Sequence, residues 1–168
     1  MSATPTRWLS SEQQAAWRAY ILGSTLLMDT LDRELRHAHG VSMGEYEILV
    51  RLSERPDRTM RMAQIAESMQ HSRSRVTHTV ARMEKAGLIS RCAAEGDRRG
   101  VEARMTDQGW DLLVQAAHTH VTGVRKHFVD LASDEEFAVL GKVMNAVSDH
   151  LLVEYPSLED IRPGAEPA

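Results

Sequence analysis

Two short amphipathic helices, joined by a tight turn and followed by a hairpin, are predicted between residues 62 and 106. The first has apolar residues at i, i+3, i+4 and i+7, on one face: Met62, Ile65, Ala66 and Met69. The second follows Ser72, which is suited to capping, and ends at Gly87. Its buried stripe is Val76, Val80 and Met83. The pair predicts a helix-turn-helix, a shape that fits the grooves of DNA.

The opposite face of the second helix is rich in hydrogen-bond donors and almost free of acids. Its residues are Arg73, Ser74, Arg75, Thr77, His78 and Arg82. Such side chains bind phosphates and base edges, and the free amides at the start of a helix also favour a phosphate. The alternative is that this face is a charged helix surface that only contacts solvent. The agreement of the helix pair, the cap and the basic face favours a DNA-binding surface.

A wing is predicted after the second helix. Val101, Ala103 and Met105 alternate with polar residues, which is typical of a half-buried strand, and residues 88–93 provide its partner. The tip between them includes Asp97, Arg98 and Arg99. Arginine at such a tip can enter a minor groove, and Asp97 can orient a guanidinium through paired hydrogen bonds.

With these motifs, the chain resembles the MarR family of bacterial transcription regulators over residues 10–153. The most specific stretches are residues 72–77, 84–89, 97–99 and 106–109. The resemblance implies an obligate homodimer, in which terminal helices form the dimer domain and each winged domain reads one operator half-site. Two positions depart from the family pattern: Gln70 stands where many such turns have glycine, and Ala94 where many relatives have an acid.

The resemblance also assigns DNA contacts by position. It implies that the major groove is faced by Ser72, Arg73, Ser74, Thr77 and His78. It further implies that Arg99 enters the minor groove with Asp97 orienting it. The predicted partner is double-stranded DNA, and the predicted function is a ligand-responsive repressor on a palindromic operator.

Charge is concentrated where DNA is expected to bind. The whole chain has a formal net charge of -4, but residues 51–104 contain 12 Lys and Arg against 7 Asp and Glu. Residues 1–50 contain 4 Lys and Arg against 6 Asp and Glu, and residues 105–168 contain 4 Lys and Arg against 11 Asp and Glu. The basic segment therefore coincides with the predicted winged domain, and DNA affinity is expected to fall steeply with salt.

Long flanking helices indicate dimerisation. A capping box at Ser11–Gln14 opens a helix to about His37, a second at Ser42 opens a helix that ends before Pro56, and a third at Ser133 opens the last helix. Their apolar stripes are Trp17, Ile21, Ser24, Met28, Leu31 and Leu35; Tyr46, Leu49, Val50 and Leu52; and Phe137, Leu140, Met144, Val147 and Leu151. The helix after the wing has the stripe Trp110, Leu113, Ala117, Val121, Val124, Phe128 and Leu131. An intrachain bundle is the alternative, but a two-fold dimer covers these faces and matches half-sites about 34 Å apart.

The predicted fold is mainly α with a small β-hairpin wing, a winged helix-turn-helix joined to a helical dimerisation domain. We divide the chain into a flexible tail (1–10), N-terminal dimerisation and ligand-pocket helices (11–55), and a winged DNA-binding domain (56–105). C-terminal dimerisation helices (106–155) and a second flexible tail (156–168) follow.

A small aromatic or phenolic effector is the leading expectation for a sensed signal. In the regulators that the chain resembles, such compounds bind between the first two helices and the helix after the wing. The candidate residues are Trp17, Arg18, Tyr20, Met43 and Tyr46. Arg18 can neutralise a carboxylate, and the others can stack or pack around a ring. Ordinary core or dimer packing is the alternative for each.

Redox and metal sensing are alternatives within the same fold. Cys92 is the only cysteine, and Arg91 can lower its thiol pKa only if the side chain is exposed. The resemblance places the cysteine of hydroperoxide sensors on the first long helix, where this chain has none. His120 and His127 share a helix face, whereas histidines two residues apart do not. We predict no metal and no cofactor.

Other classes of protein fit the sequence less well. No spacing of acids, bases and nucleophiles demands a catalytic triad, phosphate loop or metal hydrolase, so an enzyme is not predicted. No apolar run reaches the roughly 18 residues of a membrane helix, and a cytoplasmic protein is expected. A winged domain used only for protein assembly remains a further alternative.

Overall fold

The structure is a computed structural model that describes residues 5–94 and 100–153. Within these ranges the elements are α1 (Ser11–His39), α2 (Met43–Ser53), β1 (Thr59–Arg61), α3 (Met62–Ser68), α4 (Arg73–Lys85), β2 (Ile89–Ala93), β3 (Val101–Met105), α5 (Asp107–His127) and α6 (Asp134–Leu152). A short 3-10 turn, Val129–Leu131, separates α5 from α6. The mainly helical chain with a small antiparallel sheet confirms the predicted fold class.

Serine caps set where the helices begin. The capping boxes predicted at Ser42 and Ser133 are present. On α1 the cap is Ser10 with Gln13, whereas Ser11 with Gln14 was expected. Both pairs have the same spacing, so the pattern cannot choose between them. The helix continues to His39, two residues beyond the predicted end.

The core lies where α2, α3, α4 and the sheet meet the C-terminal part of α1 and the start of α5. The largest fully buried side chains are Leu35, Ile48, Leu49, Leu52, Ile65, Val76, Val80, Met83 and Ile89. The stripe predicted for α4 is therefore confirmed. Tyr46, Leu49 and Leu52 of α2 are buried as predicted, and Val50 is half-buried. This core joins the long helices to the helix-turn-helix.

The sheet has three antiparallel strands in the order β1, β3, β2. β2 and β3 form the predicted hairpin, with Ile89 opposite Met105 and Ala93 opposite Val101. β1 was not predicted, because three residues are too few to show an alternation. Ala103 is buried as expected, but Val101 is 44% exposed because it lies at the end of the strand farthest from the core.

The turn between α3 and α4 requires a left-handed residue. Gln70 adopts φ 50°, a conformation that favours glycine, which explains why glycine is common at this position in such turns. Its side-chain amide donates a hydrogen bond to the carbonyl of Glu67 at 3.1 Å. The departure noted in the sequence is therefore accommodated locally.

The buried face of α5 agrees only in part with the predicted stripe, of which Leu113 is buried and Trp110, Ala117 and Val124 are half-buried. Its buried residues are Gly109, Leu113, Ala116 and Gly123. Val121 is 55% exposed, and the helix ends at His127, before Leu131. Small residues face the core because α1 crosses closely: a Cβ on Gly123 would meet Leu31 and Glu34 of α1. The predicted stripe did not include Gly109, Ala116 or Gly123.

The N-terminal part of α1 and the whole of α6 expose apolar side chains in the single chain. On α1, Leu31 and Leu35 are buried, whereas most of the predicted stripe is not. No residue of α6 is buried. The exposed side chains include Trp17, Tyr20, Ile21, Leu22, Leu26 and Met28 on α1, and Val139, Val143, Val147 and Leu151 on α6. Among the described helices, none combines the length and apolar character that crossing a bilayer requires.

The start of α5 is fixed against the turn that follows α4. Thr106 caps α5, and its hydroxyl also donates to the carbonyl of Gly87 at 2.7 Å. The backbone N–H of Thr106 donates to the carbonyl of Leu88 at 3.0 Å. Gly109 lies directly against Leu88, and a Cβ there would collide with that carbonyl oxygen.

Replacing Gly109 with alanine is therefore expected to destabilise the protein by about 2 kcal/mol or more, because a rigid backbone group must shift. Chemical denaturation followed by circular dichroism measures the free energy of unfolding. Gly44→Ala is the matched control, since a Cβ on Gly44 meets nothing within 4 Å. Equal stability of Gly109→Ala and wild type would contradict the close approach.

Candidate nucleic-acid interface

The side of α4 opposite its buried stripe carries exposed polar residues. Ser74, Thr77 and His78 are all exposed. The first turn of α4 contains no acid, and its amides carry the partial positive charge of a helix N-terminus. Ser72 is committed to the cap: its hydroxyl oxygen accepts from the backbone N–H of Arg75 at 3.3 Å. The hydroxyl of Thr77 donates to the carbonyl of Arg73 at 2.8 Å.

A groove of about 420 Å³ separates α4 from the sheet. It is lined by Arg61, Arg73 and Arg91, together with Thr77 and the residues that begin α3. The guanidinium of Arg91 is bound to the carboxylate of Glu84 on α4, with Nη2 to Oε2 at 2.6 Å and Nε to Oε2 at 2.8 Å. The guanidinium of Arg91, and then its backbone N–H, which donates to Oε1 of Glu84 at 3.1 Å, hold the pKa of Glu84 below its ordinary value. Arg61 is also paired with a carboxylate, since its Nε lies 3.9 Å from Oε1 of Glu102 on β3.

A second groove, of about 580 Å³, runs along the other flank of α4 towards α1 and α2. Arg75, His78 and Arg82 line it from α4, and His71 lies at its end. Arg82 donates through Nε and Nη2 to Oε1 of Glu45, at 3.2 and 3.0 Å. Of the predicted DNA contacts on α4, Arg82 is thus already bonded to another helix.

The pKa of Glu45 reflects opposing effects. Burial of the carboxyl raises its pKa, but hydrogen bonds from the backbone N–H and hydroxyl of Ser42, and from Arg82, outweigh this and hold it below the ordinary value. Glu45 was recognised in the sequence as part of a capping box. Its contact with Arg82, 37 residues away, has no local signal.

The predicted wing-tip contacts Asp97, Arg98 and Arg99 lie outside the described residues and stay predictions. The base of this hairpin is described. The backbone N–H of Ala94 donates to the carbonyl of Gly100 at 2.9 Å, which extends the pairing of β2 and β3 by one step. Arg61 and Arg91, which line the first groove, were not among the predicted DNA contacts because neither lies on the helix-turn-helix stripe.

The residues predicted to bind an effector fall into two separate groups. Trp17 and Tyr20 stack on each other on the exposed part of α1, with ring centroids 5.8 Å apart, and Arg18 is exposed beside them. Met43 and Tyr46 are buried on α2. Asp32, which contacts the start of α2, lies about 18 Å along α1 from Tyr20. One chain alone therefore does not bring these residues together.

The cysteine and histidine candidates have ordinary structural contacts. Cys92 is half-buried on β2, with its sulfur 4.0 Å from the carbonyl oxygen of Glu102. His127 Nε2 lies 2.9 Å from Glu34 Oε1 on α1. The ring centroids of His120 and Tyr46 are 4.9 Å apart, and in the described part of the chain the buried Nδ1 of His120 has no hydrogen-bond partner. Within residues 5–94 and 100–153, no three His, Cys, Asp or Glu side chains form a metal-binding group.

Comparison with known proteins agrees with this geometry. The MarR family model matches residues 41–101. The HTH-type transcriptional regulator PecS of Dickeya dadantii (strain 3937) is 30% identical over 129 residues, which covers 76% of this chain and 77% of PecS. AbsC, a MarR family transcriptional regulator from Streptomyces coelicolor, has a crystal structure that matches with a TM-score of 0.80 at 39% identity, covering 87% of this chain and 98% of AbsC.

A DNA complex is among the similar structures. Sco3205, a MarR family transcriptional regulator from Streptomyces coelicolor, was crystallised in complex with DNA. It matches with a TM-score of 0.83 at 36% identity, over 98% of both chains. The chain belongs to the MarR family of winged helix-turn-helix transcriptional regulators. It is a transcriptional regulator and not an enzyme.

The half-buried His120 on α5 predicts a stability that depends on pH. Burial lowers the pKa of His120 below its ordinary value of 6.5, so the unfolded chain takes up this proton at a higher pH than the folded chain. The stability that neutral His120 provides is thus complete above about pH 6.5 and is lost as the pH falls through the folded pKa. We expect the Tm to drop between pH 7 and pH 5, and to drop less in His120→Phe.

Thermal melts at constant ionic strength measure this effect. His118→Gln is the control, because this histidine is exposed on the same helix and should keep the wild-type pH dependence. An equally steep fall of Tm in His120→Phe and wild type would show that another group is responsible.

Proposed function

We propose that this regulator is a homodimeric repressor that reads a palindromic operator, with α4 of each chain in a major groove. One observation carries the proposal: α4 exposes Ser74, Thr77 and His78 between two flanking grooves lined by arginines. Hydroxyl and imidazole groups at the centre suit base edges, and guanidinium groups at the sides suit the phosphates of both strands. Such a regulator works in the cytoplasm, where it meets the chromosome.

Dimerisation is supported by the apolar side chains that a single chain leaves in solvent. They lie along α1 and α6, at helical spacing, on elements that have little or no buried surface of their own. Large apolar side chains exposed in such number are characteristic of an interface. We therefore assign 11–55 and 106–155 to dimerisation and 56–105 to DNA binding.

A small aromatic or phenolic effector is proposed to act at this interface. Trp17, Arg18 and Tyr20 combine stacked rings with a cation on the exposed part of α1. Because Met43 and Tyr46 lie elsewhere in the same chain, a pocket that unites the two groups needs a contribution from the second chain. Binding there would alter the separation of the two α4 helices and so weaken operator binding.

DNA binding is tested with a duplex selected by the wild-type protein from a random library. Arg73→Ala is expected to weaken binding about tenfold and to reduce the slope of log affinity against log salt by about one, because a phosphate contact is lost. Fluorescence anisotropy at several salt concentrations measures both quantities. Lys126→Ala is the control, since Lys126 lies at the far end of α5. Salt-insensitive binding, or equal effects of the two substitutions, would contradict the assignment.

The dimer is tested independently of DNA. Val143→Glu places a charge in the exposed apolar stripe of α6 and is expected to shift the protein from dimer to monomer in analytical ultracentrifugation. Lys142→Glu, at the neighbouring exposed position, should leave the dimer intact. A wild-type protein that sediments as a monomer at micromolar concentration would rule out the obligate homodimer.

A further inference from the structure

Glu45 belongs to α2, yet its carboxylate is bonded to the recognition helix. Its side chain is only 11% exposed. Oxygen Oε2 accepts hydrogen bonds from the backbone N–H and the hydroxyl of Ser42, both at 2.8 Å. Oxygen Oε1 accepts from Nε and Nη2 of Arg82, at 3.2 and 3.0 Å. One nearly buried carboxylate therefore joins the N-terminus of α2 to the flank of α4.

The same end of α2 is fixed to α1. The backbone N–H of Met43 donates to Oδ1 of Asp32 at 2.7 Å. The other oxygen of Asp32 accepts from Nε of Arg36 at 2.6 Å. Two of the amides that a helix N-terminus leaves unpaired are thus bound by carboxylates, one from α1 and one from Glu45 itself. The anchor for Arg82 cannot shift without breaking these bonds.

Arg82 keeps donors for another acceptor. A guanidinium has five N–H groups in a fixed plane, and Glu45 engages only Nε and Nη2. The side chain is 64% exposed and lies in the groove that Arg75 and His78 also line. A guanidinium held on one edge loses fewer conformations when its other edge binds, so the second contact forms at a lower entropic cost.

We propose that Glu45 is a positioning residue for DNA binding, which fixes Arg82 beside α4 so that the guanidinium meets a DNA phosphate. The inference rests on the proposed function, since it requires α4 to enter the major groove. Glu45 itself does not touch DNA in this arrangement. Its loss lowers affinity through Arg82.

A purely electrostatic argument predicts the opposite change in DNA affinity when Glu45 loses its charge. Removing an acid close to DNA strengthens binding, because less negative charge opposes the phosphates. Glu47 provides the matched control for charge: it is on the same helix and lines the same groove, and within the described part of the chain it makes no hydrogen bond to Arg82.

The experiment measures affinity for the selected duplex as a function of salt for the full-length protein. Glu45→Gln and Arg82→Gln are each expected to weaken binding about fivefold to tenfold and to reduce the salt slope by about one. The double variant should bind no more weakly than Arg82→Gln alone, because both changes remove one contact. Glu47→Gln should bind as tightly as wild type or more tightly.

The inference is overturned if Glu45→Gln binds as tightly as wild type, or if the losses in the double variant add. Circular dichroism at the assay temperature verifies that each variant is folded. If Glu45→Gln does not fold, the salt slope of Arg82→Gln is the deciding measurement. A slope equal to that of the wild type overturns the inference. If the wild-type protein selects no duplex at all, the proposed function fails. If the wild-type protein binds its duplex and the Glu45 variant binds equally well, only the inference about Glu45 fails.

Discussion

The rest of the structure depends on the burial of α2 between the long helices and the DNA-binding elements. This eleven-residue helix packs against α1, α4, α5 and β3. Ile48, Leu49 and Leu52 are fully buried, and each contributes about 2 kcal/mol of hydrophobic stabilisation. Packed side chains of α2 and the carboxylate of Glu45 therefore connect α1 and α5 to α4.

Local signals explain why much of the DNA-binding region could be predicted. The start of α4 is set by the hydroxyl of Ser72, and its buried face by three side chains spaced within two turns. Both signals lie within the helix and its cap, so they can be read without the tertiary structure. The hairpin was predictable for the same reason. Apolar and polar residues alternate along β3, and its partner strand β2 is close to it in the sequence.

Features that depend on distant contacts were missed or misplaced. The stripe predicted for α5 included the buried Leu113 but omitted Ala116 and Gly123, and Gly123 is buried because α1 crosses closely there. The connection between Glu45 and Arg82 joins two helices whose relative placement no spacing encodes. The effector site stays a prediction, because α1 extends too far for Tyr20 and Tyr46 to lie together in one chain and a second chain would have to complete the site. In each case the deciding fact is the geometry between elements.

The exposed apolar faces of α1 and α6 have a consequence for how the proposed dimer responds to its own abundance. Where folding and association share one hydrophobic surface, the free energy of unfolding depends on the concentration of the protein. At low concentration each chain would lose its partner and part of its stability. The amount of DNA-binding dimer would rise with roughly the square of the chain concentration. The proposed repression would then weaken more than in proportion to a fall in chain concentration, without any change in the DNA sequence or the signal.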